Sequence, residues 1–180
     1  SAEKGTIFHL AMQLLDFLKF DTEDISKIRE EVKLQINSFV EKNIMSLDEA
    51  ETIKINWIVK FIQSDIFKEI YIANKSEKLF KEKAIDYNLK LKNLYKDENI
   101  SEDEKIMVVG IIDLFFENEK GEIILLDYKT DYVTKENLEE VKNRYKIQLD
   151  LYKLAIEEIS GKKVVKKGLY LFGINEYVEV

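Results

Sequence analysis

Apolar residues at Ile7, Leu10, Ala11, Leu14, Leu15 and Leu18 recur at helical spacing behind Gly5-Thr6, which offers a cap, so the chain is expected to open with a helix. A second helix is expected over 22–43, where Ile28, Val32, Gln35, Ile36, Phe39 and Val40 form a mostly apolar stripe. A third starts at Ser46-Leu47-Asp48-Glu49, a capping box in which Ser46 and Glu49 satisfy free amides. It is expected to continue to about Gln63, with Trp57, Ile58, Phe61 and Ile62 on its core face. An amphipathic piece over 65–73 leads into a strand over 78–89.

The period then shortens. Segments 107–116 and 122–128 are apolar and rich in Ile, Val and Phe, and the polar run Glu117-Asn118-Glu119-Lys120-Gly121 separates them, so they predict a β-hairpin. The Lys- and Glu-rich stretch 90–105 reads as a strand end or exposed loop. A long helix is expected over 135–159, stopped by Ser160-Gly161, and then a strand over 164–172. A helical front followed by ββαβ suits an α+β fold with a mixed sheet flanked by helices. One domain is expected over 1–180, with a helical part at 1–75 and a sheet-containing core at 76–180.

The hairpin carries the chemistry. Facing residues of an antiparallel pair have numbers of constant sum, and a turn centred near Lys120 sets that sum near 240, so Asp113 and Asp127 fall opposite each other. Side chains alternate along a strand, which places Asp127 and Lys129 on one face and Tyr128 on the other. Facing carboxylates repel, and a divalent cation relieves the repulsion. Two hard oxygen ligands suit Mg²⁺ or Mn²⁺. Lys129 is then placed to position or deprotonate a water, or to balance charge on a phosphate.

Composition narrows the partners. Apolar residues at 46% and charged residues at 35% are an ordinary globular balance, which argues against disorder. The net charge of −7 counts against a nucleic-acid partner, yet 28 Lys and Arg residues can still form a local basic face. The absence of cysteine excludes disulfides, zinc ribbons and an iron-sulfur cluster. Gly161-Lys162-Lys163 lacks the rest of a Walker loop, so no ATP site is expected. No apolar run approaches the roughly 18 residues of a membrane span, and a cytoplasmic protein is expected.

Five motifs now stand in order: Gly5-Thr6-x-x-His9, Glu82 after Phe80-Lys81, Gly110-Ile111-Ile112-Asp113, the LDYKTD run at 126–131, and Gln148-x-x-x-Tyr152. With them the chain resembles the RecB-type nuclease domains of the PD-(D/E)xK superfamily, in particular those of AddA-type helicase-nucleases. The resemblance implies a restriction-endonuclease-like core and a Mg²⁺-dependent deoxyribonuclease, with Mn²⁺ as a substitute. It implies that His9, Asp113 and Asp127 bind the metal, with the Tyr128 backbone carbonyl as a further ligand. Lys129 would be the catalytic lysine and Glu82 the family's glutamate near the site, although Ala84 and Ile85 stand where proline and phenylalanine usually follow it.

His9 shares a helix face with Gln13 and Asp16, away from the leucines. Gln148 and Tyr152, four apart on a helix, share a face, as a pair bordering the site and touching DNA requires. The resemblance further implies single-stranded DNA as substrate, exonuclease action within a complex for double-strand break repair and recombination, a partner protein of the AddB type, and a preceding helicase region. That region is absent here. Ser1-Ala2 reads as a cloning remnant, so the chain is expected to be an excised nuclease domain. The alternative is a noncatalytic nuclease-fold module that docks a partner or holds DNA.

Overall fold

The computed structural model describes residues 2–95 and 99–180. Helices α1 (Ala2–Leu14), α2 (Ile25–Glu41), α3 (Leu47–Glu51), α4 (Ile55–Ile62) and α5 (Asp65–Lys75) form the front. Gly5-Thr6 lies inside α1, so it is not the cap expected there. The helix also stops earlier than its leucines suggest. Asp16, beyond its end, accepts the Leu18 amide at 3.0 Å and sets up a 3-10 turn, Phe17–Lys19, which turns Leu18 outward and buries Phe17 instead.

Asp24 caps α2 by accepting the Ser26 and Lys27 amides. The Ser46–Glu49 capping box forms as expected, but the helix it starts does not reach Gln63. The Thr52 hydroxyl donates to the Glu49 carbonyl at 2.7 Å, a local bond that competes with the helical ladder. The chain bends there, sinks Ile53 into the core and restarts as α4.

The sheet runs β1 (Leu79–Lys90), β2 (Lys105–Glu117), β3 (Ile123–Lys129), β4 (Val164–Leu171) and β5 (Glu176–Glu179), in that spatial order. Between β1 and β2, the stretch expected as a loop opens with a short helix, α6 (Leu91–Leu94), while 96–98 lie outside the described residues. Only β3 and β4 are parallel, joined by the crossover helix α7 (Leu138–Ser160), which Gly161 ends at φ 68°. β5 is an addition to the expected elements; at four residues, with both ends exposed, its pattern is too short to read.

Asn118 organises the β2–β3 turn: its side-chain oxygen accepts the Lys120 and Glu122 amides, each at 3.0 Å, and Gly121 supplies φ 77°. The resulting register pairs Leu114 with Leu126 and Phe116 with Ile124, which is the constant sum of 240.

One irregularity shapes everything near the site. In β1, Leu79 packs towards the helical front, whereas Ile85, Tyr87 and Leu89 pack towards α7, although all are odd-numbered. In β2, Phe116 and Leu114 face the front while Ile112 and Val108 face α7. Both inversions fall at facing positions, Glu82 and Asp113, between the pairs Lys81–Leu114 and Lys83–Ile112. Glu82 has φ 48°, a left-handed conformation that L residues seldom adopt and that interrupts strand alternation. Beyond this point the β1–β2 ribbon leaves β3 and folds over α7.

Lys81, beside Glu82, ties that point to the front. Its ammonium donates to the carbonyls of Met12, Gln13 and Leu15 at 3.1, 3.3 and 2.7 Å and lies 3.5 Å over the Phe17 ring. It thereby caps the C-terminus of α1, the helix that carries His9.

Candidate metal-dependent catalytic site

Glu82, Asp113 and Asp127 form a row across β1, β2 and β3 at the place where the ribbon diverges. Asp113 Oδ2 accepts the Tyr128 amide at 2.7 Å, which ties the two strands together just beyond their last ladder pair. Asp127 is 5% exposed, and Lys129 Nζ lies 2.6 Å from its Oδ2. Burial, with Asp113 adding like charge, pushes the Asp127 carboxyl up to about 6 against the pull of Lys129. For Lys129, burial works to lower the ammonium, but Asp127 outweighs it and the net shift is upward. The ammonium also lies 4.0 Å over the Tyr145 ring, and Tyr145 Oη in turn donates to Asp131 at 3.3 Å.

His9 arrives from the other side of the sheet. Its Nε2 is 3.1 Å from the Tyr128 carbonyl and 3.4 Å from Asp113 Oδ2. The Tyr128 ring anchors this arrangement: it is buried on the front face, edge-on to Phe61 at 5.7 Å and against Phe172 at 5.6 Å. One residue thus serves both sides, its ring locking into the core while its carbonyl faces the site. Asp16, beyond the end of α1, does not share the His9 helix face as the sequence suggests.

Among the described residues, no group of three or more His, Cys, Asp and Glu side chains is arranged as a ready metal cage. Internal partners explain this: Asp113 is turned to the Tyr128 amide and Asp127 to Lys129. The donor set nevertheless fits a hard cation. Asp127 Oδ2 is a buried oxygen with no well-directed hydrogen bond, its close neighbour being the lysine ammonium. His9 Nε2 lies 3.1 Å from the Tyr128 carbonyl and 3.4 Å from Asp113 Oδ2. Those separations are close to the roughly 3 Å between adjacent ligands of a cation with bonds of about 2.0–2.1 Å.

Residues 1–179 match the PD-(D/E)XK nuclease superfamily. The chain belongs to that superfamily. It is 39% identical, over 99% of its length, to an ATP-dependent helicase/nuclease of Clostridium botulinum (strain Langeland), and 40% identical over the same share to the corresponding ATP-dependent helicase/nuclease of Clostridium acetobutylicum. It spans only 13% and 14% of those relatives, respectively.

For a PD-(D/E)XK nuclease the mixed five-stranded sheet with flanking helices is the expected frame, and the remaining motif residues can be placed within it. Glu82 is half-buried rather than a plain surface residue. Burial first, and then the like charge of Asp113, raise its carboxyl. Gln148 Nε2 donates to Tyr152 Oη at 3.1 Å, and Tyr152 is buried against Gly110 while Gln148 stays exposed. Two residues near the site have no role there on sequence grounds, which lead one to expect Tyr145 only to pack on the sheet. Lys81 carries no signal, because a strand lysine is ordinarily solvated. Tyr145 stands seven residues, two helical turns, before Tyr152, and that spacing places it over the same face.

Proposed function

We propose that this domain is a divalent-metal-dependent deoxyribonuclease that hydrolyses phosphodiester bonds of single-stranded DNA. The observation that carries the reading is the convergence of His9, the Tyr128 carbonyl and Asp113 within 3.4 Å, beside Asp127 and Lys129. His9, Asp113, Asp127 and the Tyr128 carbonyl would hold Mg²⁺, or Mn²⁺ in its place. When bound, the cation supplies Lewis acidity towards the phosphate and lowers the pKa of a water. Asp113 and Asp127 set the negative charge that selects a hard dication. Lys129, protonated and fixed over Tyr145, directs its ammonium at the charge that develops on the phosphate. Glu82 adds a third carboxylate at the edge of the row, and Gln148 borders the site from α7.

The names of the longer relatives pair helicase with nuclease. On that basis we place this chain, as a single nuclease domain with its helical part at 1–75 and its sheet core at 76–180, in an exonuclease that trims strands for double-strand break repair and recombination. Its partners in that reading are a helicase region and a protein of the AddB type, and the cytoplasm is its setting. Incubation with labelled single-stranded DNA and Mg²⁺ or Mn²⁺ tests it: cleavage that EDTA stops and Asp127→Ala abolishes is expected. Undiminished cleavage by Asp127→Ala would sink the assignment.

A further inference from the structure

Two large rings stand exposed on either side of the carboxylate row. Phe80 is 41% exposed and stacks on Phe115 with centroids 4.8 Å apart and planes 17° from parallel. Register places this pair, with Leu125, one step along the sheet from Glu82, Asp113 and Asp127. Two residues of strand rise put that step at about 7 Å.

On the opposite side of the row along β3, three residues beyond Lys129, Tyr132 is 85% exposed. Its loop is pinned on both sides. Val133 is buried, the Tyr132 carbonyl accepts Asn137 Nδ2 at 3.2 Å, and the Thr134 amide donates to Asn137 Oδ1 at 2.7 Å. Asp131 is held by Tyr145 at 3.3 Å. The ring itself packs on no aromatic or cationic group among the described residues.

We infer that Phe80 and Tyr132 are stacking platforms for unpaired bases, so that a single strand crosses the carboxylate row with a base held on each side. The inference rests on the nuclease reading and deepens it by giving a reason for a single-stranded substrate. An exposed ring on a pinned backbone loses little freedom when a base stacks on it. Stacking is uncharged and tolerates any base, so it contributes to binding whatever the sign of the chain's net charge of −7. Inside a duplex both faces of every base are already stacked, so the two rings discriminate against it.

The test is binding in EDTA, where no cleavage occurs, read by fluorescence anisotropy with labelled oligothymidylate and with a blunt duplex at equal salt. Tyr132→Ala is expected to weaken oligothymidylate binding about fivefold or more and to leave duplex binding unchanged, while Tyr132→Trp retains binding. Phe80→Leu is expected to weaken single-strand binding in the same way, with the fold checked by circular dichroism. Wild-type affinity in Tyr132→Ala, an equal loss for duplex, or no measurable oligothymidylate binding by the wild type overturns the inference. Because cleavage is scored separately, a domain that binds through Tyr132 but does not cut would refute only the nuclease reading.

Discussion

The Tyr152 hydroxyl occupies the space that a side chain on Gly110 would need: a Cβ built there lies 2.2 Å from Tyr152 Oη. The glycine of the strand before Asp113 is therefore required by the helix that crosses it, because only a bare backbone lets the Gln148–Tyr152 pair settle against β2.

Gly110→Ala should accordingly destabilise the domain by about 1–3 kcal/mol through overpacking. Glycine to alanine within a strand ordinarily stabilises, by about 0.5–1 kcal/mol, so the sign is informative. Urea denaturation checks it. Adding Tyr152→Phe, which removes the clashing oxygen, should recover part of the loss; strictly additive losses would contradict the contact.

Asp127 gives the site a pH dependence. Its carboxyl is raised from the ordinary 3.8 to about 6, chiefly by burial, so the folded protein keeps a proton that the unfolded chain releases. Without cation, stability from this group is full below about pH 4 and declines as the pH rises towards 6. Cation binding must displace that proton. Mn²⁺ affinity, followed by calorimetry, should rise about tenfold per pH unit below 6 and level off above it. Asp127→Asn should remove this carboxyl's contribution to the slope and most of the affinity.

His9 supplies a nitrogen 3.1 Å from the Tyr128 carbonyl across 119 residues of chain. His9→Ala is expected to weaken Mn²⁺ binding by about tenfold or more, since even outer-shell losses reach that size. The thermal midpoint of the metal-free protein should change little, because the ring is partly exposed and not a core residue. Unaltered Mn²⁺ affinity would reduce the histidine to a hydrogen-bonding role.

Lys81→Met keeps an unbranched side chain of similar length but removes the ammonium that lies over Phe17 and donates to three carbonyls. A loss of about 2–3 kcal/mol in urea is expected, together with faster amide exchange in the last turn of α1. Burial lowers the Lys81 ammonium to about 7, with Asp16 opposing, while the three carbonyls favour its charged form. Exchange unchanged in α1 would show that the cap does not hold the helix.

Features that depend on neighbours along the chain are legible in the residues alone. The Asn118–Gly121 turn sets the hairpin register, so the opposition of Asp113 and Asp127 follows from counting. The Ser46–Glu49 box, the Gly161 stop and the four-residue helical spacing of Gln148 and Tyr152 are likewise local geometry. The order of the motifs was enough to point to the superfamily.

Packing governs the rest. The left-handed Glu82 reverses the faces of β1 where alternation alone predicts no change, and it swings the ribbon onto α7. The Thr52 hydroxyl and the burial of Ile53 outweigh a continuous helical pattern, and a cap on α1 built from a strand lysine has no signature in either segment. His9 meets the Tyr128 carbonyl only because the Tyr128 ring is gripped by Phe61 and Phe172, a contact between distant segments. Local hydrogen bonds and side-chain period are written in adjacent residues; the joint position of a helix, a strand and a ring is set by how the core closes around them.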